Sequence, residues 1–402
     1  MYEKSPSTQS ILLAQVKQML AFWCQATSQI DNETIVMLDE ERQNIFRAVQ
    51  IGLQFLETSG DTAIVLLQTM PLITQLGYWQ DWIPFLQRSL SIKDSQNDAY
   101  HLPLMISLGR AYRLDSQLEK AITIHLEAEQ IAHSTAQWEL LAQIQHDLLE
   151  DYLFARTYDK AKEVGQSAIK GLEQANNSLP LLANCYKMLG TVFYETQDYQ
   201  TAEKYFSQAV TMWRQIDDPI HLARTLNDLS RFLLTSKRFK EAESCLSEAE
   251  TLLAPTINDL DKCMIYINLG SLYAAKQKWA RAEAAFYKAN SPFLRQSVDL
   301  PRKARVNNNL GYVLFKQGKY EQAEEYLQQA LKIWQEAEDD LEYANTLSIL
   351  ADSFLAQQES HVALPLYEEL LLIVAQYPHS PMANKLGRDY SIIRDQLKEK
   401  VN

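Results

Sequence analysis

Residues 309–330 read N-L-G-Y-V-L-F-K-Q-G-K-Y-E-Q-A-E-E-Y-L-Q-Q-A. Gly311 is followed three positions on by a large residue, Leu314, and nine positions on by an aromatic residue. Alanine follows the glycine at twelve and nineteen positions, as Ala323 and Ala330. Positions seven apart lie two turns apart on one face of an α-helix, so these alanines mark the packing face of a second helix. The stretch therefore predicts two helices joined by a short turn.

This pattern returns at a fixed interval along most of the chain. With the position of Gly311 taken as the anchor of a repeat, the equivalent anchors are Gly109, Leu149, Gly190, Ser230, Gly270, Gly311 and Ala351. Successive anchors are 40 or 41 residues apart, and alanine occupies position plus 12 in every repeat. Position plus 19 is also alanine, except at Leu370. Such a regular interval indicates a repeat architecture.

The sizes of the recurring residues explain how a repeat folds. A glycine or alanine on one helix lets its partner approach closely, and the large residue one turn away fills the adjoining space. Glycine is scarce, 11 of 402 residues, and four of the eleven are anchors. Average proteins contain about 7% glycine, so this chain lacks the supply that Rossmann turns, phosphate loops and tight hairpins require. Each helix pair must stack on its neighbours to bury its apolar face, which predicts an all-α repeat array.

The combination L-G…Y…A…F…A resembles the tetratricopeptide repeat (TPR) family over about residues 102–376. The family period is about 34 residues, whereas here the extra residues follow the second alanine. Forty-residue repeats resemble those of kinesin light chains, Pins-type adaptors and the sensor arms of bacterial STAND-type regulators. The resemblance implies a right-handed superhelical solenoid of antiparallel helix pairs. We predict an N-terminal helical segment at 1–60, a degenerate repeat at 61–100, seven repeats at 101–376 and a capping helix at 377–402.

The first hundred residues are less regular but still helical in pattern. The stretch from Leu38, L-D-E-E-R-Q-N-I-F-R-A-V-Q-I-G-L-Q-F-L-E-T-S-G-D, predicts an amphipathic helix that ends at Gly60. A further repeat anchored at Met70 would place Trp82 where the other repeats have alanine. This block is similar to the segment that leads into the repeat arm of STAND-type ATPases. The ATPase motif G-x-x-x-x-G-K-[ST] does not occur in the sequence.

Polar and proline-containing stretches mark several junctions between units, at 176–180, 217–219 and 254–259. Near the C-terminus, Ser380 and Pro381 have the residue types of a helix cap and a first helical turn. The helix that follows carries many charged residues, which suits a solvent-facing cap.

Composition and charge limit the classes of partner. The chain has 51 acidic and 38 basic residues, a net charge of −13, whereas nucleic-acid recognition starts from a basic surface. No segment approaches the roughly 18–20 apolar residues of a membrane span, and the first residues lack the features of a signal peptide. The four cysteines form no C-x-x-C pair, which fits free thiols in a reducing compartment. We therefore expect a cytoplasmic protein without a nucleic-acid partner or membrane insertion.

Catalytic and metal-binding patterns are weak. The seven histidines show no H-E-x-x-H or similar ligand spacing, and we interpret them as helix-surface residues. Cys185 and Cys263 fall at small-residue packing positions, where inert buried thiols are favoured over a nucleophile. These observations predict a protein that is not an enzyme and uses no cofactor or metal.

The resemblance to TPR proteins implies that ligands are contacted from the first helix of each repeat, on both sides of the anchor. Carried over to the last four repeats, it predicts the peptide-binding residues Arg224, Asn227, Asp228, Arg231, Asn268, Arg305, Asn308, Asn309, Tyr312, Asn345, Ser348 and Asp352. An asparagine amide both donates and accepts, so it can bond the C=O and N–H groups of an extended peptide. The alternative for each asparagine is that it does not contact a ligand, and that its side chain instead faces solvent or forms a hydrogen bond within the repeat array. Asn307, at a packing position, is predicted to be structural.

Two functions fit this pattern. The first is a non-catalytic adaptor that binds an extended segment of a partner protein in its concave groove. Seven basic against five acidic residues along the expected lining favour a partner with an acidic segment. The second is a ligand- or peptide-responsive sensor that switches a separately encoded enzyme or regulator.

Overall fold

A computed structural model describes residues 8–28, 37–92, 99–175, 178–256, 259–296, 300–378 and 380–401. The chain divides into two compact units, Met1–Asp217 and Asp218–Asn402. Every regular element in the described residues is helical, which confirms the all-α prediction.

The first unit contains eleven described α-helices and one short 3-10 helix, Leu56–Thr58. The α-helices are α1 (Thr8–Ala26), α2 (Arg42–Gly52), α3 (Ser59–Gln68), α4 (Met70–Leu76), α5 (Trp79–Ser91), α6 (His101–Leu114), α7 (Leu118–Ser134), α8 (Trp138–Phe154), α9 (Tyr158–Ala175), α10 (Leu179–Glu195) and α11 (Tyr199–Ile216).

The second unit contains ten described α-helices. They are α12 (Pro219–Thr235), α13 (Phe239–Leu253), α14 (Asp259–Ala275), α15 (Trp279–Ala289), α16 (Pro292–Gln296), α17 (Leu300–Lys316), α18 (Tyr320–Glu336), α19 (Asp340–Ala356), α20 (Ser360–Val374) and α21 (Pro381–Val401). Within each unit, the first helix of a repeat packs on the second, and the second packs on the first helix of the next repeat.

The anchor glycines hold the two helices of a repeat together, as their spacing predicts. A Cβ added at Gly190 would lie 2.9 Å from the ring of Phe206, and one at Gly270 would lie 2.6 Å from Phe286. In both repeats the large residue stands sixteen positions after the anchor. The alanines at plus 12 are fully buried throughout. The repeat is therefore a close helix pair in which a side chain of the second helix covers a bare stretch of the first.

The turn inside each repeat is closed by a left-handed residue seven positions after the anchor. These residues, with φ between +55° and +85°, are Gly77, Ser116, Arg156, Gln197, Lys237, Gln277, Gly318 and Gln358. The next amide bonds back to the carbonyl five positions earlier, as Lys278 N does to Tyr273 O at 2.8 Å. This hydrogen bond is typical of a Schellman helix end, in which the left-handed residue is usually glycine. Here most of the scarce glycines serve packing instead.

The helix predicted to end at Gly60 ends earlier, at Gly52, so that prediction is wrong. A Cβ at Gly52 would lie 2.3 Å from Thr62 Oγ1, and Thr58 Oγ1 donates to Gly52 O at 2.7 Å. The chain turns at this close approach, and Gly60 lies inside α3. The predicted boundary between 60 and 61 therefore cuts a helix, whereas the other domain boundaries stay predictions.

The repeat anchored at Met70 has a broken first helix, formed by α3 and α4, because Pro71 occupies the first turn of α4. Trp82 on α5, in the position of the usual alanine, is fully buried against this broken helix. Its Nε1 donates to Leu66 O at 3.4 Å. A large residue thus replaces the small one where the first helix is not continuous.

The last helix begins as predicted. Ser380 Oγ accepts a hydrogen bond from Ala383 N at 3.3 Å, and Pro381 is the first residue of α21. Leu397 and Leu386 bury one face of this helix, while charged residues such as Arg388 remain exposed. Among the described helices, none is long and apolar enough to cross a membrane.

Candidate peptide-binding face

The predicted peptide-binding residues lie on the first helices α12, α14, α17 and α19 of the second unit. Their exposure differs widely. The buried members are Asn227, Asn268, Asn308 and Ser348, the half-buried members are Arg224, Asp228, Asn309, Tyr312, Asn345 and Asp352, and the exposed members are Arg231 and Arg305. No comparison tests their role, so the set stays a prediction.

Two of the asparagines bond to each other. Asn268 Nδ2 on α14 donates to Asn227 Oδ1 on α12 at 2.8 Å, and both side chains are buried. The bond joins neighbouring repeats and satisfies one donor and one acceptor. A ligand at this point would have to compete with it.

Asn308 differs from this pair, because its Oδ1 is buried and meets no donor among the described residues. A buried acceptor without a partner costs roughly 1–3 kcal/mol. Its neighbour Asn307 points elsewhere, since Asn307 Nδ2 donates to Gln329 Oε1 on α18 at 3.3 Å. That bond supports the structural role predicted for Asn307 and leaves Asn308 as the unsatisfied amide.

An aromatic and cationic cluster lies one turn beyond Asn308. The ring of Tyr312 meets Trp279 edge-on, with centroids 6.2 Å apart. The ammonium group of Lys316 lies 5.4 Å from the centre of the Tyr312 ring and 4.6 Å from that of Phe315. Burial raises the pKa of Tyr312 above its usual range, so the hydroxyl stays protonated. The arrangement offers a flat ring and a positive charge one and two turns along α17 from Asn308.

The arginines are less available than the sequence suggests. Arg224 Nε donates to Asp261 Oδ2 on α14 at 2.7 Å. Arg305 acts electrostatically on Glu342, which also accepts from Asn345 Nδ2 at 3.3 Å. Burial raises the pKa of Glu342. Part of the positive charge expected to meet a ligand is therefore balanced inside the protein.

Asp352 and Ser348 bond within the protein. Asp352 accepts hydrogen bonds from Tyr367 at 2.7 Å and from Tyr390 at 3.2 Å, and these tyrosines belong to α20 and α21. Ser348 Oγ donates to Asn345 O at 2.7 Å. Asp352 thus attaches the capping helix, a role that its position one residue after the anchor did not reveal.

Sequence reasoning missed a buried ion cluster in the first unit. Arg110 and Arg113 on α6 bond to Asp147 on α8, and Asp151 bonds to Arg113 and to His125. His125 is fully buried, so its interpretation as a helix-surface histidine is wrong. The spacing of two arginines followed some 37 residues later by two aspartates was the available signal.

A second missed feature joins the repeats of the second unit. A glutamate thirteen positions after one anchor accepts a hydrogen bond from a lysine or glutamine that stands six positions after the next anchor. The pairs are Glu243 with Lys276, Glu283 with Gln317 at 2.7 Å, and Glu324 with Gln357 at 2.7 Å. Their constant offsets from the anchors are visible in the sequence. The residues around each partner do not distinguish it from other exposed polar residues, so the pairs were not predicted.

The thiols agree with their predicted burial. Cys185 is fully buried, and burial raises its pKa to about 12, which keeps it protonated. Cys263 Sγ donates to Ala289 O at 3.4 Å. In the described residues, no three His, Cys, Asp or Glu side chains lie close enough to hold a metal ion.

The family model described as Tetratricopeptide repeat matches residues 181–255 and 302–373. Curated protein sequences show no significant match to the chain. The fold is similar to that of a STAND protein with a tetratricopeptide repeat sensor from Pyrococcus horikoshii, with a TM-score of 0.60 and 16% identity over 87% of this chain and 55% of that one.

Two further solved structures share the fold. One is the apo form of the quorum sensor NprR from B. thuringiensis, with a TM-score of 0.56 and 14% identity over 90% of this chain and 99% of that one. The other is the apo form of RapI, with a TM-score of 0.53 and 11% identity over 69% of this chain and 98% of that one. At these identities the likeness concerns the fold.

Proposed function

The chain belongs to the tetratricopeptide repeat family, and from this premise we propose that it is a non-catalytic adaptor. Its ligand is an extended segment of a partner protein, bound along the first helices of the second unit. The observation that carries this proposal is the buried Oδ1 of Asn308, which has no donor among the described residues.

A peptide backbone supplies what that oxygen needs. If the Asn308 side chain rotates to bring this buried oxygen to the surface, an N–H group of an extended segment would give it its missing donor, and the relief of an unsatisfied acceptor would add to the affinity. The half-buried Asn309 and Tyr312 follow Asn308 on the same helix and offer further polar and aromatic contacts. The pair formed by Asn227 and Asn268 can exchange its mutual bond for bonds to the same segment.

The charge around this face suggests the composition of the segment. Arg231 and Arg305 are exposed, and Lys316 is exposed above an aromatic ring. An acidic residue in the segment would approach these cations. We therefore propose a protein or peptide partner with an acidic stretch, met in the cytoplasm, rather than nucleic acid or a membrane.

The test uses a peptide selected from a random library by the wild-type protein. Its affinity for Asn308→Leu should fall about tenfold, the factor of one hydrogen bond to a buried partner, as measured by fluorescence anisotropy. Asn307→Leu, a change in the adjacent residue that faces Gln329, should leave the affinity unchanged. Equal affinity of all three proteins, with unchanged helicity, would reject Asn308 as a contact.

A second function is a sensor whose shape changes when a peptide binds and which thereby controls a separate enzyme or regulator. It is favoured by the shared fold with a protein described as carrying a repeat sensor and with one described as a quorum sensor. X-ray scattering with and without saturating selected peptide distinguishes the two. A change in the radius of gyration on peptide binding would support the sensor function. An unchanged radius of gyration would support the adaptor function.

A further inference from the structure

Two neighbouring turns of the second unit carry an excess of positive charge. The stretch that joins α12 to α13 reads S-K-R-F-K-E-A-E at 236–243, and the equivalent stretch after α14 reads K-Q-K-W-A-R-A-E at 276–283. Together they hold six basic and three acidic residues, in a chain whose net charge is −13. None of these residues belongs to the predicted peptide-binding set, so the proposed function does not use them.

Each of the three acids is already paired with a cation of its own turn or of the next one. The pairs are Glu241 with Arg238 at 2.6 Å, Glu243 with Lys276 at 2.5 Å and Glu283 with Lys319 at 2.8 Å. Four cations remain, which we call the basic edge: Lys237, Lys240, Lys278 and Arg281. All four are exposed, and none forms an ion pair with a residue that the structure describes.

The two turns form one continuous surface. The hydrogen bond from Lys276 to Glu243 brings the second turn against the start of α13. This bond lowers the pKa of Glu243, and the charges of Lys278 and Arg281 add to the effect, so both cations lie near that carboxylate. Lys240 precedes Glu243 by one turn of the same helix. Three unpaired cations thus surround a glutamate that is already occupied.

The opposite edge of the second unit has the opposite charge. The junction between α18 and α19 carries five acids, at positions 336, 338, 339, 340 and 342. Turns inside repeats lie at the C-terminal ends of first helices, whereas junctions between repeats lie at their N-terminal ends. A first helix such as α14 has 17 residues and is about 25 Å long, which exceeds the screening length of about 8 Å in physiological salt. An acidic ligand at the basic edge therefore escapes the repulsion of the junctions.

This charge distribution favours a small ligand over an extended one. A long polyanion such as a nucleic acid, or the surface of an anionic membrane, would extend beyond the basic edge to the acidic junctions. A short acidic segment of a protein covers the basic edge alone. Its carboxylates also suit Arg281, whose planar guanidinium binds two carboxylate oxygens at once.

The other side chains of the two turns agree with this choice. Proteins that bind single-stranded nucleic acid stack bases on accessible aromatic rings. Here Phe239 and Trp279 are half-buried, and the ring of Trp279 meets Tyr312 edge-on. Membrane-surface segments insert apolar side chains, yet none of the exposed large apolar residues described in the second unit lies in these turns.

We propose that the basic edge is a docking surface for a short, extended, acidic segment of a partner protein. The first helices α12 and α14 pack on each other, so equivalent cations of the two repeats stand roughly 10 Å apart. An extended chain advances about 3.3–3.6 Å per residue, so aspartate or glutamate at every third position meets one repeat after the other. The surface is independent of the peptide-binding face and works whether or not Asn308 contacts a ligand.

The first experiment uses the full chain and two fluorescein-labelled glycine–serine peptides of equal length. One has glutamate at every third position, and the other has glutamine there. Fluorescence anisotropy should show binding of the glutamate peptide alone, and this binding should weaken when salt is raised from about 50 to about 500 mM. Equal binding of both peptides, or no binding of the glutamate peptide at low salt, would overturn the proposal.

The second experiment assigns the binding to the basic edge. The double variant Lys278→Gln, Arg281→Gln should bind the glutamate peptide at least about tenfold more weakly, the factor of one charge-assisted hydrogen bond. The control Lys332→Gln, Lys385→Gln removes the same charge from exposed positions elsewhere in the second unit and should bind as the wild type does. An equal loss in the control would assign the binding to net charge and overturn the docking surface.

Two further arms separate this surface from the peptide-binding face and from other ligands. Asn308→Leu should retain wild-type affinity for the glutamate peptide, and a loss of affinity would place the peptide on the other face and overturn the proposal. Single-stranded DNA and phosphatidylserine vesicles should bind more weakly than the glutamate peptide. Tighter binding of either one, lost in the Lys278 and Arg281 variant, would overturn the choice of a protein segment.

Discussion

In the repeat anchored at Leu149, the large residue stands on the first helix and the small one, Gly165, on the second, which is the reverse of the other repeats. Elsewhere a small anchor on the first helix faces a large residue sixteen positions later, whereas here the anchor is leucine and the later residue is glycine. A Cβ added at Gly165 would lie 3.1 Å from Leu149 Cδ2 and 2.7 Å from Leu189 Cδ2. Either helix can therefore supply the side chain that fills this space, provided that the other is bare.

Gly165→Ala should destabilise the protein by about 1–3 kcal/mol, because the added methyl group forces two buried leucines out of place. Urea denaturation followed by circular dichroism measures this loss. Gly171→Ala on the same helix is the matched control, because no atom lies within 4 Å of its added Cβ. The control should gain up to about 1 kcal/mol from helix propensity. Equal effects at both glycines would contradict the packing explanation.

At the left-handed turn positions, introducing glycine should raise the free energy of unfolding, and removing glycine should lower it. Gln277 has φ +56°, and Gln277→Gly should stabilise the protein by up to about 1 kcal/mol because the side chain no longer resists this conformation. Gly318 has φ +75° in the equivalent turn, so Gly318→Gln should lower the free energy of unfolding by about 1 kcal/mol. Thermal and urea unfolding of both variants provide the comparison. A stabilising effect of Gly318→Gln would show that the turn relaxes to another conformation.

Asp352 should make the second unit more stable in acid. Burial raises its pKa above the usual range, despite the opposing hydrogen bonds from Tyr367 and Tyr390. The folded state therefore prefers the protonated carboxyl, so its contribution to stability decreases as pH rises through that pKa. Relative to Asp352→Asn, whose amide does not titrate, the wild type should lose unfolding free energy as pH rises above about 4, the usual pKa of an aspartate. A constant difference across that range would mean that the carboxyl is not perturbed.

Glu283 should contribute a salt-dependent bond between repeats. It accepts from Gln317 at 2.7 Å and from Lys319 at 2.8 Å, and these bonds lower its pKa despite partial burial. Glu283→Ala should cost about 1 kcal/mol in urea unfolding. Glu283→Gln should retain part of that energy through Gln317 and should lose the sensitivity to salt that comes from the exposed Lys319. Identical stability of both variants would argue against the bond to Gln317.

The repeat architecture could be predicted because its signal is local and repeated. Every helix pair has the same packing problem, so Gly190, Gly270 and their equivalents recur at one interval with alanine at plus 12. The helix end at Gly52 could not be predicted in the same way. It depends on a contact with Thr62 in a segment that has no regular period.

The candidate site was predictable in position but not in bonding. Spacing placed the asparagines on the first helices, yet a single amide type proved to serve three purposes. Asn268 bonds to Asn227, Asn307 bonds to Gln329, and Asn308 retains an unsatisfied oxygen. The difference arises from which neighbouring helix each side chain meets.

The stack of paired helices follows from the sequence alone, because small and large residues must alternate wherever two helices touch. Which polar side chains already have hydrogen-bond partners depends on how the helices pack. Hydrogen bonds and charge pairs here join residues some 37 positions apart, as with Arg110 and Asp147, and they depend on distances of a few ångströms. A one-dimensional pattern contains no such distances, so the contact between His125 and Asp151 and the unpaired oxygen of Asn308 appear only when the repeats are packed together.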